Sequence, residues 1–417
     1  MSTLTIAVLS TLNSKGAEAR FVCDVLSRSG VTPWLMDMSL KPHNDVEDAA
    51  VSGRELAVSA GTTWEALSEM SRSDAAEAMI DGATKVFLDH FKAGKFAGVI
   101  GVGGANNSTM ACAVMRALPP LFPKVMVTPV AATAAVQWYV AQSDIAMFPT
   151  IGDISLNRIT RAAMENAAWA VVEMARQRAN KAMESESRRS LIGVSSFGGT
   201  QACVNRVTER LEAEGYEVIH FHASGPGGRA LEQLSEIGEL AGVIDITTSE
   251  LTDLLTGGVY SAGAGRLKSA GAAGLPQVVV PGALDHTNFW VGEVPEKYRD
   301  REFFQYNVEI LLMRTTDEEY EKLAHMMAER LNEAKGPVTV LIPKFGFSQH
   351  TIRKTHNLSG EETGFWLRPE SDKVFTETLR GSLTAGPVRE LEYHINDRNF
   401  ADACVDEFLA MMKGKIG

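Results

Sequence analysis

The chain carries one pattern twice, and a repeated half restricts the fold more than any single motif does. Residues 5–37 read as strand, glycine-containing loop, helix and strand, from Thr5-Ile6-Ala7-Val8-Leu9 through Ser10–Gly16 to Trp34-Leu35-Met36-Asp37. Residues 191–222 read the same way, from Leu191-Ile192-Gly193-Val194 through Phe197-Gly198-Gly199-Thr200 to Val218-Ile219-His220-Phe221-His222. Ala97-Gly98-Val99-Ile100 returns as Ala241-Gly242-Val243-Ile244, and Lys124-Val125-Met126-Val127 returns as Gln277-Val278-Val279-Val280, each of the last pair behind a proline. Two α/β halves facing each other would leave a cleft, where a ligand is to be sought.

A length of 417 residues suits two domains. The boundary is placed near residue 187, in the charge- and amide-rich stretch 176–189, giving halves 1–187 and 188–417. Apolar, β-branched runs at Ile6–Leu9, Val31–Leu35, Val99–Val102, Val125–Val130, Ile192–Ser195, Val218–Phe221, Val243–Ile246, Val278–Val280 and Val338–Ile342 alternate with helical patterns. Strands of this kind are buried on both faces, which predicts a doubly wound α/β fold with parallel sheets. Residues 41–75 read as an insertion over the cleft. Residues 346–373 read as a second lid or an irregular surface loop, and 402–412 as a closing amphipathic helix.

A net charge of −12 argues against nucleic acid and anionic membranes as partners. No apolar run is long enough to span a bilayer, and the first residues lack the basic segment of a secretory leader. The scattered cysteines Cys23, Cys112, Cys203 and Cys404 match neither a zinc pattern nor a disulfide framework. A cytoplasmic protein with reduced thiols is expected, with a small anion as its partner.

Ligands of parallel sheets bind at loops leaving the carboxyl ends of strands. In the first half Ser10–Gly16 offers Thr11, Asn13 and Lys15 at a helix start, where free N–H groups attract anions; a plain capping turn is the competing reading. Gly103, Gly104, Asn106, Asn107 and Ser108 form a loop whose glycines let the backbone approach a phosphate or carboxylate, without the lysine of a P-loop. In the second half the loops supply Gly199 and Thr200, then Gly227, Gly228 and Arg229, then Thr247 and Thr248, and finally Asn288, for binding. Glu250, Asp285 and His286 are candidates for moving a proton, with His286 equally readable as a packing residue. Cys203 falls in the first turn of a helix, which favours a thiolate; burial in the core is the other reading.

These loops, in this order, resemble an uncharacterised protein family represented by the N-terminal, ATP-binding domain of a tomato mosaic virus resistance protein and by bacterial relatives. The likeness covers nearly the whole chain. It is most specific at Phe221–Ala230, Thr247–Leu251, Gly257-Gly258-Val259 with Ser261-Ala262-Gly263, Val280–Asp285 with Asn288-Phe289, Arg314-Thr315-Thr316 and Gly336-Pro337-Val338. The resemblance implies two tandem Rossmann-like subdomains, ATP as a cofactor, and a homodimer or higher homo-oligomer; it supplies neither a reaction nor a metal. The departures lie in the first half. Asn13 stands where the family pattern has an acid, Gly103-Gly104-Ala105-Asn106-Asn107-Ser108 replaces a glycine-richer loop, and Ala134-Ala135 replaces a Gly-Asp pair. They leave room for an anion in a first-half site and weaken the expectation of ATP itself. Two functions are therefore expected: an enzyme that cleaves or joins bonds in a small carboxylate, or a non-catalytic ATP-binding module acting through a protein partner.

Overall fold

The computed structural model describes residues 4–44, 48–183 and 189–414. The chain forms two compact units, Met1–Ser187 and Arg188–Gly417; the expected boundary residue itself lies outside the described residues.

The first unit holds one parallel sheet. Its strands are β1 (Thr5–Ser10), β2 (Thr32–Asp37), β3 (Gly98–Val102), β4 (Lys124–Thr128) and β5 (Ala146–Pro149), in the order β2-β1-β3-β4-β5. Strands β3 and β4 are buried along their whole length, as continuous apolar runs require. β4 stops at Thr128 rather than reaching Val130, because Pro129 cannot donate to the ladder and opens a short 3₁₀ turn. Two apolar layers cover the sheet. One centres on Trp34, Met36, Phe87, Val99 and Met115, the other on Val8, Val22, Ile100, Val125 and Val171.

Residues 41–75 are not a detached insertion. They form the helices Gly53–Ser59 and Trp64–Glu69 and lead into Arg72–Lys92, and their Leu56, Trp64 and Leu67 join the first core layer. Gly82 permits this packing, since a Cβ there would stand 2.0 Å from the carbonyl oxygen of Leu56.

The second unit repeats the order and extends it. β6 (Leu191–Ser196), β7 (Glu217–His222), β8 (Gly242–Thr247) and β9 (Gln277–Gly282) correspond to β1–β4, so the duplicated sequence is a duplicated topology. Between β9 and the next parallel strand come β10 (His286–Trp290), β11 (Phe303–Gln305) and β12 (Ile310–Arg314). β13 (Val338–Pro343) returns to the parallel sheet, then β14 (Lys354–His356) and β15 (Glu362–Phe365) leave it, and β16 (Val388–Leu391) closes it. The parallel sheet runs β16-β13-β9-β8-β6-β7, and a separate sheet runs β10-β12-β11-β14-β15 with antiparallel pairs.

That second sheet corrects the reading of 346–373 as a lid or irregular loop. The stretch contributes β14, β15 and the buried side chains of Phe347, Ser348, His350 and Trp366. The strands are only three to five residues long. Polar and aromatic residues alternate too briefly within them to register as a period, so tertiary pairing rather than local pattern defines them. The closing helix spans Arg398–Gly414.

Candidate functional site

In each unit the chain leaves the first strand in one direction and reaches its third-strand neighbour from the other. This topological switch parts the loops after β1 and β3, and again those after β6 and β8, and ligands of doubly wound sheets bind at such points.

At the first switch lies a cavity of about 710 Å³ lined by Thr11, Asn13, Ser14 and Lys15 after β1, by Leu40 and Lys41 after β2, by Leu67, Ser68, Met70, Arg72 and Ala75, and by Gly104, Ala105, Asn106, Asn107 and Met110. Lys15, Lys41 and Arg72 bring three cations, and none of the described residues lining it is a carboxylate. Of the expected first-half residues, Thr11, Asn13, Lys15, Gly104, Asn106 and Asn107 reach this cavity. Gly103 and Ser108 do not line it. A Cβ on Gly103 would stand 2.6 Å from the Cβ of Asn107, and Ser108 is buried with its hydroxyl donating to the Gly104 carbonyl and to Thr128 Oγ1. Nothing local marked Lys41 or Arg72, which come from the segment read as an insertion.

The two loops differ in what they leave open. The helix Leu12–Arg28 does not present free leading N–H groups, contrary to expectation. Leu12 N donates to Asp37 Oδ1 at 3.1 Å and Asn13 N donates to Ser39 Oγ at 3.1 Å, because Asp37 ends β2 beside the helix start. The ammonium of Lys15 donates to the Ile154 carbonyl at 2.5 Å, so part of its hydrogen-bonding capacity is spent within the fold. The helix Ala105–Arg116 has Gly104 before it, no side-chain cap and no acid in its first turn. Its start is therefore the better anion end. Asn107 ties the switch together by donating from Nδ2 to the Leu9 and Val102 carbonyls, while its buried Oδ1 has no partner. Cations, an uncapped helix start and an apolar side made of Leu40, Leu67, Met70, Ala75 and Met110 fit a phosphate-bearing molecule of nucleotide size.

In the second unit the expected proton carrier Glu250 has another task. It is buried, and its Oε1 accepts from Gly225 N at 2.7 Å and Gly228 N at 3.1 Å, while Oε2 accepts from Arg266 Nε at 2.6 Å. Arg266, itself buried, also binds Asp245 through both terminal nitrogens, at 2.6 and 2.7 Å, and contacts Glu232 at 3.3 Å. Burial pushes the Glu250 carboxyl up, against the pull of Arg266. Burial also disfavours the charged guanidinium, yet the carboxylates of Asp245, Glu250 and Glu232 overcome it and raise Arg266 well above its ordinary value. Glu250 is thus a strut of the 225–229 loop, not a mobile acid. A Cβ on Gly228 would lie 2.1 Å from Glu250 Oε2, and one on Gly227 2.0 Å from the His222 carbonyl oxygen, so these glycines serve close packing. Arg229 is half-buried and donates to the Ser261 carbonyl at 3.3 Å.

Other expected ligands turn inward. Thr200 and Thr247 share a hydrogen bond of 2.7 Å between their buried hydroxyls, and Thr248 donates to the Val280 carbonyl. Gly199 sits buried under Ser348, and its carbonyl accepts from Asn396 Nδ2. Asn288 is locked on Asp253, which accepts from its backbone N at 3.1 Å and its Nδ2 at 2.9 Å. Burial lifts the Asp253 carboxyl to about 7 despite these bonds. Cys203 is fully buried in an apolar cluster with Val204, Val207 and Cys404, the placement of a packing residue.

Asp285 and His286 remain together. His286 Nδ1 lies 2.8 Å from Asp285 Oδ1, and Asp285 Oδ2 accepts from Ser348 Oγ at 2.6 Å and Trp366 Nε1 at 2.8 Å. Burial alone would raise the Asp285 carboxyl, but the His286 hydrogen bond and the nearby Arg314 guanidinium hold it below the usual carboxylate range. His286 is fully buried and its Nε2 has no partner. Ser348, His350 and Trp366, which complete this cluster, come from the stretch whose strands the sequence did not disclose. Among the described residues no group of three His, Cys, Asp or Glu is placed to hold a metal ion, and no helix is long and apolar enough to cross a membrane.

Comparison with known proteins identifies the lineage. Residues 4–180 match the Uncharacterised protein family (UPF0261) N-terminal domain, and residues 189–412 match its C-terminal domain. A UPF0261 protein of Clostridium tetani is 35% identical over 419 residues, covering 98% of this chain and 99% of the relative. The ToMV resistance protein Tm-1(GCR237) of Solanum lycopersicum is 37% identical over 320 residues, covering 75% of this chain and 41% of that protein. Among solved structures, UDP-N-acetylglucosamine 2-epimerase from Rickettsia bellii aligns over 99% of this chain and 96% of its own, at 10% identity and a TM-score of 0.25, a likeness too slight to bear on chemistry.

Proposed function

The chain belongs to the UPF0261 family, and from that premise we propose that its first half binds a phosphorylated small molecule of nucleotide size, ATP being the first to try, in an enzyme that acts on a small anionic metabolite. The observation that carries this reading is the cavity at the first topological switch, with Lys15, Lys41 and Arg72 around it and no carboxylate among the described residues that line it. Lys41 and Arg72 are exposed and Lys15 lies 4.0 Å from the Glu18 carboxylate, so the three act as a cationic wall that attracts an anion rather than as buried charges that require one. The uncapped start of the helix Ala105–Arg116 adds a favourable potential for phosphate oxygens. The apolar side at Leu40, Leu67, Met70 and Met110 would seat the uncharged part of the ligand.

A second reading, a binding module that acts through a protein partner, is favoured by the relative whose name is that of a virus resistance protein. Both readings need the cavity to be filled, and they part on turnover of the bound molecule.

Thermal denaturation with ATP, pyrophosphate and a sugar phosphate tests the site. A ligand at a hundred times its dissociation constant stabilises by about 2.7 kcal/mol. Arg72→Met should weaken binding by about tenfold or more, the worth of one charge-assisted hydrogen bond. The absence of a shift with all three probes at millimolar concentration would remove the reading. Conversion of the bound molecule to product selects the enzyme over the binding module.

A further inference from the structure

The second unit holds a polar cluster that the phosphate site does not use. Asp285 follows β9 and His286 opens β10, so the pair stands where the parallel sheet hands the chain to the antiparallel one. Both are buried, and both oxygens of Asp285 are committed: Oδ1 to His286 Nδ1, Oδ2 to the Ser348 hydroxyl and the Trp366 indole N–H. An ionised carboxylate in that position can only accept, so Nδ1 carries the hydrogen. In the neutral ring Nε2 then holds the lone pair, and this atom is buried with no partner. A second imidazole, His350, lies 5.5 Å away ring to ring, also buried and with its Nδ1 unpartnered. A packing histidine usually finds a partner for its second nitrogen, and two adjacent rings that both lack one mark a place kept for something else.

The rings around His286 lead outward. Phe197, half-buried at the end of β6, has its centroid 6.3 Å from that of His286 and stacks at 5.3 Å on the exposed His222. Tyr260 meets Phe197 at 6.0 Å, and Tyr306, 45% exposed, meets His350 at 5.8 Å. Thus a run of neighbouring rings leads from His286 through Phe197 to the exposed His222, and from His350 to the exposed Tyr306.

We propose that His286 is a proton-transfer base for a small molecule with a flat carbonyl group beside an acidic C–H or O–H, and that Asp285 is its positioning residue. In the step, the Nε2 lone pair takes the proton, the electrons of the broken C–H or O–H bond stay on the substrate as an enolate or alkoxide, and Asp285 balances the imidazolium through Nδ1–H. The reverse step returns the proton, so no co-reactant is needed. The charged and titratable groups around the ring are Asp285, His350, the buried Asp253 on the helix Glu250–Thr256 and, behind Asp285, Arg314; the flat ring surfaces of Phe197 and Trp366 fit an sp² centre better than a branched one.

The test needs no knowledge of the substrate. The intact protein is treated with diethyl pyrocarbonate, which attacks the lone pair of an imidazole, and each histidine is followed by peptide mass spectrometry with the exposed His325 as reference. His286 should be modified in the wild type, and Phe197→Ala should speed it by about tenfold by removing the ring that stands between His286 and the exposed His222. In Asp285→Asn, Ser348 and Trp366 keep the amide oxygen, so the amide N–H₂ faces Nδ1 and moves the ring hydrogen to Nε2. Modification of His286 should then fall about a hundredfold relative to His325. If His286 stays unmodified in both wild type and Phe197→Ala while His325 is consumed, the site is closed and the proposal fails. Equal modification in a folded Asp285→Asn protein removes Asp285 from its role. Should that variant not fold, the comparison of wild type with Phe197→Ala decides.

Discussion

Replacing Arg266 by Met tests the reassignment of Glu250 from proton carrier to strut. The guanidinium is fully buried and binds Glu250, both oxygens of Asp245, and Glu232, and it also donates to the Thr247 carbonyl at 3.2 Å. Met fills much of the volume but leaves the buried Asp245 and Glu250 carboxylates without their cation, while Glu232 keeps the N–H groups of Leu267, Lys268 and Ser269. Removing one partner of a buried ion pair costs about 3–5 kcal/mol. For a unit of this size, about 2–4 °C per kcal/mol predicts a fall in melting temperature of about 6–20 °C. The sign with pH follows from burial. Glu250 is already raised, and without Arg266 its folded-state pKa rises further. The folded state then holds protons that the unfolded state releases, so stability is lost as pH rises through the folded value. The deficit relative to wild type should be larger at about pH 8 than at about pH 5. Calorimetry of wild type and variant at the two pH values gives the answer. A melting temperature within about 2 °C of wild type at the higher pH would mean that Arg266 does not hold these carboxylates, and the structural role of Glu250 would fall with it.

Asp253→Asn should flatten the pH dependence of stability. Its carboxyl stands at about 7 against an ordinary 3.8, so wild type has a contribution that is full below the ordinary value and is lost as pH rises to the folded one, about 4 kcal/mol in all; an unchanged slope of melting temperature against pH in the variant would contradict this. Thiol labelling should be slow in the native protein, because Cys112, Cys203 and Cys404 are buried and burial pushes the Cys23 and Cys112 thiols up to about 12. Rapid labelling of Cys203 at neutral pH, before unfolding in urea, would overturn its placement in the core.

What the sequence disclosed about the sites follows the range of the interactions that build them. The loop after β3 was legible because glycine and asparagine next to a buried strand have a local backbone meaning, and Gly104, Asn106 and Asn107 do reach the cavity. Lys41 and Arg72 were not, since nothing local marks a cation that arrives from a neighbouring segment. Glu250 and Asn288 looked available because each sits in a polar loop. Arg266 and Asp253, which engage them, are 16 and 35 residues away in the chain. Cys203 shows the same limit, for its helical position was legible while only tertiary packing chose burial between its two readings.

By itself the sequence determined the repeated α/β halves, through continuous apolar runs that only a sheet covered on both faces can bury. It also determined where in each half the loops carry polar groups. Only the tertiary structure decided which of those groups face a ligand. A carboxylate, an amide or an imidazole reads the same along the chain whether or not a distant partner satisfies it. Burial makes that pairing decisive: Glu250 and Asn288 found partners and became structure, while His286 Nε2 did not.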